Sequence, residues 1–180
     1  MKIICSKINK DLNIRTQKNF PVKGIEFIDI MPLIMQGEIY REITDIFISE
    51  IKRIGQVDYI VAPEARGFLF GCPVAERLGL PCVPVRKKGK LPPDTVEIEF
   101  EYEKEYGKDK LCLPKLVEEE YKERTFYIID DIYATGNTIN ATKNAIKKLG
   151  GKVVGIGVVM NILELNEAKD IFSIIDVNEE

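Results

Sequence analysis

The 180-residue chain is 45% hydrophobic and 31% charged, which fits one globular domain large enough to bury a sizeable core. Its 26 Lys and Arg against 29 Asp and Glu leave a net charge of -3, so no global field draws it to nucleic acid or an anionic membrane, and any basic function must be local. Histidine is absent, which excludes Ser-His-Asp and Cys-His nucleophiles, imidazole acid–base catalysis and His-bound metals, and leaves proton transfer to carboxylates, Lys, Tyr or substrate groups.

Residues 1–24 mix Lys, Asn and short apolar groups and end in a turn signal, Phe20-Pro21-Val22-Lys23-Gly24. Their apolar run is too short for a signal peptide, and no later stretch approaches the roughly 18 apolar residues of a membrane span, so a cytoplasmic protein is expected. Residues 25–30 are strongly apolar, a short strand or a hood packed over something, and Pro32 ends them. Residues 38–54 place Ile39, Ile43, Ile46, Phe47, Ile51 and Ile54 near a 3.6-residue period, an amphipathic helix closed by Gly55. A buried strand at 59–62, a loop at 63–67 and a helix at 68–78 follow, the helix ending at Gly79. A strand at 82–85 then leads into the basic turn 86–90. Residues 91–113 are charged, hold two prolines and a strand-like 96–102, and suit a hairpin or mobile lid over about 94–112. A polar, acidic lead-in at 115–124 precedes a strand at 126–129. After Asp130 and Asp131 come a small-residue loop, a helix at 139–149, a strand at 153–160, a helical stretch at 163–169 and an edge strand at 171–177. Cys5, Cys72, Cys82 and Cys112 form no C-x-x-C pair, so zinc and redox motifs lack support and reduced thiols are expected.

Strands alternating with helices at this spacing predict an α/β fold, a mostly parallel twisted sheet flanked by helices on both faces. Ligands of such sheets bind outside the carboxyl ends of the strands. The loops at 63–67, 86–90 and 130–138 all follow predicted strands and should share one rim.

The stretch YIIDDIYATGNT, residues 127–138, is the most informative. Ala134, Thr135, Gly136, Asn137 and Thr138 open a helix, where backbone N–H groups and the helix dipole can hold a phosphate. Asp130 and Asp131 would repel a phosphate and suit instead sugar hydroxyls, or Mg²⁺ carried on a second phosphate group. A phosphorylated ribose satisfies both halves. Each residue alone is an ordinary turn or cap residue; the contiguous combination is what points to a ligand, and it is neither a Walker A loop nor a G-x-G-x-x-G turn. Arg66, within Ala65-Arg66-Gly67, is suited to two-pronged phosphate contacts. Arg86, Lys87, Lys88 and Lys90 add cations to the same rim, although Lys87 and Lys88 read equally well as solvated surface groups.

These residues resemble the type I phosphoribosyltransferases. The family's apolar run followed by DD-x-x-ATGGT stands at 126–138. Four further stretches, E-A-R-G-F-L-F-G at 64–71, R-K-x-G-K-L-P at 86–92, E-Y-G at 105–107 and F-P-x-x-G-x-x-F-x-D-I at 20–30, point to its adenine branch. The resemblance implies the type I phosphoribosyltransferase fold in a single domain over 1–180, with a hood at 1–35 and the lid. It also implies transfer of ribose 5-phosphate from phosphoribosyl pyrophosphate (PRPP) to N9 of adenine, giving AMP and pyrophosphate with Mg²⁺ as cofactor, in a homodimer with no nucleic-acid or membrane partner. By position, residues 134–138 would wrap the 5-phosphate, Asp130 and Asp131 the ribose hydroxyls, and Ala65, Arg66, Arg86 and Lys90 the pyrophosphate. Ala65 and Arg66 are commonly joined in this family by a cis peptide. Glu26, Phe27 and Ile28 would border the base. Glu105, beside Tyr106 in the lid, would move the N9 proton, and Arg66 would stabilise the departing charge. No dedicated ligand set for Mg²⁺ is expected; PRPP would hold the ion, with Asp130 and Asp131 reaching it through water. Two departures stand out: Ile28 replaces a hood Arg, and Asn137 replaces the second glycine of the phosphate loop, where tolerance of a left-handed backbone would be needed. A transferase for another purine and a PRPP-binding regulator share the loop, but a regulator has little use for the 64–71 stretch and a lid acid.

Overall fold

A computed structural model describes residues 1–20, 22–24, 26–104, 107–117 and 120–178. In chain order the strands and helices are β1 (Lys2–Ser6), β2 (Arg15–Lys18), β3 (Glu26–Asp29), α1 (Met31–Met35), α2 (Gly37–Ile54), β4 (Tyr59–Pro63), α3 (Arg66–Leu78) and β5 (Cys82–Lys87). They continue as β6 (Val96–Lys104), β7 (Gly107–Pro114), β8 (Thr125–Tyr133), α4 (Asn137–Lys148), β9 (Lys152–Ile162) and β10 (Phe172–Asn178). The main sheet has the order β1-β10-β9-β8-β4-β5-β7-β6. From β10 through β9, β8 and β4 to β5 the strands run parallel, while β1 at one end and the β7–β6 hairpin at the other pair antiparallel.

The apolar stripe of α2 explains its position. Ile43, Phe47 and Ile51 are almost fully buried, each contributing about 2 kcal/mol of transfer free energy. With Phe70 and Val74 of α3 they cover one face of the sheet against Ile60, Tyr127, Ile129 and Val159. The other face, Val61, Val83, Phe126, Ile128 and Val158, is covered by Ile139 and Ile146 of α4 and by Tyr102, Leu111 and Leu113 of the hairpin. The central strands, buried on both faces, therefore read as continuous apolar runs rather than alternating ones.

Several boundaries differ from the sequence expectation. Strand β8 continues to Tyr133, so both aspartates lie within a strand and not beyond its end. Residues 163–169 form only a short 3-10 turn at Leu163–Leu165, after which the Asn166 backbone is extended and its side chain turns to the loop described below. Strand β10 is not an edge: β1 pairs along its outer side, Lys2 opposite Asn178. The short, exposed β1, whose Ile3 and Ile4 are open to solvent, carries no alternating signal, and only the uncovered edge of β10 recruits it. Strands β2 and β3 form a separate antiparallel ribbon, with Arg15 opposite Asp29 and paired to it at 2.6 Å. All four cysteines are free; Cys72 and Cys82 lie closest, with Sγ atoms 3.8 Å apart. Among the described residues no helix is long and apolar enough to cross a membrane.

Candidate active site

Strand β4 lies between β8 and β5. The chain leaves β4 through α3 to reach β5 on one side, and leaves β8 through α4 to reach β9 on the other, with α3 and α4 on opposite faces. This reversal of winding opens a crevice at the carboxyl ends of the strands, where ligands of doubly wound sheets sit. The segments following β4, β5 and β8 converge there.

Asp130 and Asp131 are 8% and 4% exposed. Asp130 Oδ1 accepts the Asp131 backbone N–H at 2.9 Å. Asp131 Oδ2 lies 2.8 Å from Arg66 Nε, an ion pair whose alignment is too poor for a hydrogen bond, so this buried oxygen keeps unused acceptor capacity. Burial, and then the charge of Asp131, push the Asp130 carboxyl well above the ordinary carboxylate range. Burial also raises Asp131, with Arg66 opposing it. Such an oxygen suits a ligand hydroxyl, which can donate to it without bringing a charge into the site.

The phosphate-type loop is built on one backbone conformation. Gly136 precedes α4 with φ 76°, and a Cβ on it would stand 2.2 Å from Tyr133 Oη. No side chain caps this helix and no acidic residue lies in its first turn, so the leading N–H groups and the positive end of the dipole stay open. Asn137 is the first residue of the right-handed helix. Its replacement of glycine therefore needs no left-handed tolerance, contrary to the sequence expectation. Thr135 is exposed and Thr138 half-buried beside it.

Two residues without an assigned role support this loop. Asn166 Nδ2 lies 2.9 Å from the Ala134 carbonyl, 3.0 Å from Asn161 Oδ1 and 2.8 Å from the Ile162 carbonyl. Asn161 is buried at the end of β9. The only sequence signal was a polar residue closing an apolar strand.

Between the neighbouring strands, Glu64 and Ala65 are joined by a cis peptide, one bond earlier than the family resemblance implied. Ala65 is exposed and precedes α3, which opens at Arg66. Gly67 lets that helix approach the acids, since a Cβ there would meet Asp130 Oδ1 at 2.9 Å. The Arg66 guanidinium stands 5.6 Å over the Phe27 ring of the β2–β3 ribbon. Arg86 Nε donates to Glu64 Oε2 at 3.0 Å, and its guanidinium stands 5.7 Å over Phe68. Lys88 pairs with Glu99 of the hairpin at 3.2 Å. Lys90 is exposed in the turn after β5 and has no ion-pair partner among the described residues. Within the ribbon, Glu26 and Phe27 are half-buried, while Ile28 is buried in the core beside Leu33. Phe27 packs edge-on to Phe20 at 5.2 Å. Glu105 and Tyr106 lie outside the described residues.

A divalent cation fits this rim only as a passenger. Among the described residues no group of three or more His, Cys, Asp or Glu could cage one. The adjacent acids, one with an unused buried oxygen, suit an ion that keeps its waters and ligand phosphates.

The phosphoribosyl transferase domain family matches residues 35–179, and the chain belongs to it. It is a phosphoribosyltransferase, an enzyme of the transferase class. It is 46% identical over 154 residues to the adenine phosphoribosyltransferase of Clostridium acetobutylicum, covering 86% of this chain and 87% of that protein. The solved adenine phosphoribosyltransferase of Thermoanaerobacter pseudethanolicus superposes with a TM-score of 0.81 at 39% identity, covering 91% of this chain and 95% of that one. The Saccharomyces cerevisiae enzyme, complexed with D-2,5-dideoxy-2,5-imino-altritol 1,6-bisphosphate and adenine, gives 0.78 at 32% identity over 89% and 93%. The family match begins after the β2–β3 ribbon.

Proposed function

We infer that this chain is an adenine phosphoribosyltransferase of purine salvage, moving ribose 5-phosphate from PRPP to N9 of adenine with release of pyrophosphate. The observation that carries the reading is the buried Asp130–Asp131 pair set directly before the open amino terminus of α4, with Arg66 at the start of α3 and Arg86 near the end of β5.

The 5-phosphate of PRPP lies against the N–H groups of residues 134–138, and the ribose hydroxyls donate to Asp130 and Asp131. Breaking the bond from C1 to the pyrophosphate oxygen leaves positive charge on the sugar and negative charge on the leaving group. The paired acids favour the first; Arg66, Arg86 and Lys90, with the Ala65 backbone, stabilise the second as it forms. Mg²⁺ held by the PRPP phosphates, with Asp130 and Asp131 reaching it through water, would supply further neutralisation of the leaving group. Adenine enters beside the ribbon, bordered by Glu26, Phe27 and the backbone at Ile28, and Glu105 takes the N9 proton as the new bond forms. A lid over about 94–112, including Tyr106, excludes water from a hydrolysable donor. The homodimer belongs to the same reading; exposed Phe20 and Leu69 are apolar groups that such an interface would cover.

Steady-state rates with PRPP and each of adenine, hypoxanthine, guanine and xanthine, with and without Mg²⁺, test this. Adenine should exceed the 6-oxopurines in kcat/KM by on the order of 100-fold, with turnover lost on chelation. A preference for a 6-oxopurine would overturn the substrate assignment.

A further inference from the structure

Glu64 opens the 64–71 stretch, yet nothing in the reaction described above uses its side chain. Its position explains more than a turn requires. Pro63 is the last residue of β4 paired with β5, opposite Val85. Glu64 then continues the connection past the strand end through three contacts to consecutive residues. Its N–H donates to the Val85 carbonyl at 2.8 Å, and its Oε2 accepts Arg86 Nε at 3.0 Å and the Lys87 N–H at 2.9 Å. The Glu64 side chain is 15% exposed and that of Arg86 32%, unlike the solvent-exposed Lys152–Glu123 pair at 61% and 71%.

This clamp decides which part of Arg86 is available. Nε is occupied by the carboxylate, and the Phe68 ring lies against the guanidinium. Neither Nη atom has a hydrogen-bond partner among the described residues. A guanidinium held at Nε presents its two Nη atoms as a fixed fork, the geometry that suits two phosphate oxygens. Holding it before the ligand arrives removes an ordering cost from binding. The Lys87 N–H bond also fixes the strand end from which the 86–90 turn departs.

We propose that Glu64 is a positioning residue that orients Arg86 toward the leaving pyrophosphate; this rests on the assignment of Arg86 given above. The alternative, that Glu64 acts only as a nearby charge, has the opposite sign. Removing a negative charge beside an anion site would then tighten PRPP binding, whereas removing a positioning contact weakens it.

The experiment measures KM for PRPP, KM for adenine and KM for pyrophosphate in the reverse direction, with thermal unfolding as a folding control, in Glu64→Ala, Glu64→Gln, Arg86→Ala and the Glu64→Ala/Arg86→Ala pair. Glu64→Ala should raise KM for PRPP and for pyrophosphate about tenfold while leaving adenine within about twofold. Glu64→Gln should fall between, since its Oε1 still accepts the Lys87 N–H, and it carries the test if the alanine variant does not fold. In the Arg86→Ala background, Glu64→Ala should add less than about twofold. An unchanged or lowered KM for PRPP in both Glu64 variants, or effects that multiply fully in the pair, would overturn the proposal while leaving Arg86 in place. An Arg86→Ala variant with normal PRPP and pyrophosphate KM would remove the Arg86 assignment and the proposal with it.

Discussion

Asp130 is a carboxyl whose burial costs stability. Its carboxyl is buried beside a second carboxyl, and both influences raise its pKa. Between the unfolded value and that raised value, the folded protein keeps a proton that the unfolded chain has released. Stability therefore falls as pH rises through this window, and the full penalty is present above it. Asparagine keeps the oxygen that accepts the Asp131 N–H and removes the charge. Asp130→Asn should thus melt higher than the wild type at about pH 8, by a few degrees for about 1–2 kcal/mol, and the difference should shrink toward about pH 4 as the wild-type acid is protonated. Thermal unfolding across that range checks it, and an equal or lower melting temperature at the high end would show that the acids are not strained by burial. Asp131 is expected to differ, because its loss would leave Arg66 without its partner.

At the scale of elements, the phosphate loop depends on Gly136. A φ of 76° already costs a residue with a Cβ about 1 kcal/mol, and the added atom would collide with the buried Tyr133 ring, with Cζ 2.4 Å away. Gly136→Ala should therefore raise KM for PRPP by at least about tenfold while leaving KM for adenine nearly unchanged. A normal KM for PRPP would mean that the loop does not hold the donor. The loop and the acids were legible because strand, carboxylates, small residues and helix are contiguous in sequence. Their supports were not. Asn166 acts on Ala134 from beyond β9, and Glu64 acts on Arg86 across a strand register; such partners become visible only when parallel strands fix which ends meet. The helical pattern at 163–169 misled for the same reason: the Asn166 backbone is extended and its side chain reaches the Ala134 carbonyl, a partner distant in sequence.

For the molecule as a whole, alternating strands and helices sufficed to predict a sheet covered on both faces and a shared rim for the three loops. Periodicity could not place β1, which is short and exposed, its isoleucines included, and finds its position only against β10. It could not decide the side chains of the ribbon either: Ile28, the departure expected to bear on base recognition, is packed into the core, and Phe27 is the ribbon residue that reaches Arg66. A chain of net charge -3 sets Arg66 against the two buried acids and Arg86 on the neighbouring strand, a charge arrangement that suits the proposed donor, a sugar between two anionic ends. The most direct test replaces both acids. Asp130→Asn with Asp131→Asn, shown to be folded by thermal unfolding, should lower PRPP-dependent formation of AMP from adenine on the order of 1,000-fold. Turnover equal to that of the wild type would contradict the role given to Asp130 and Asp131 and with it the ribose-phosphate site.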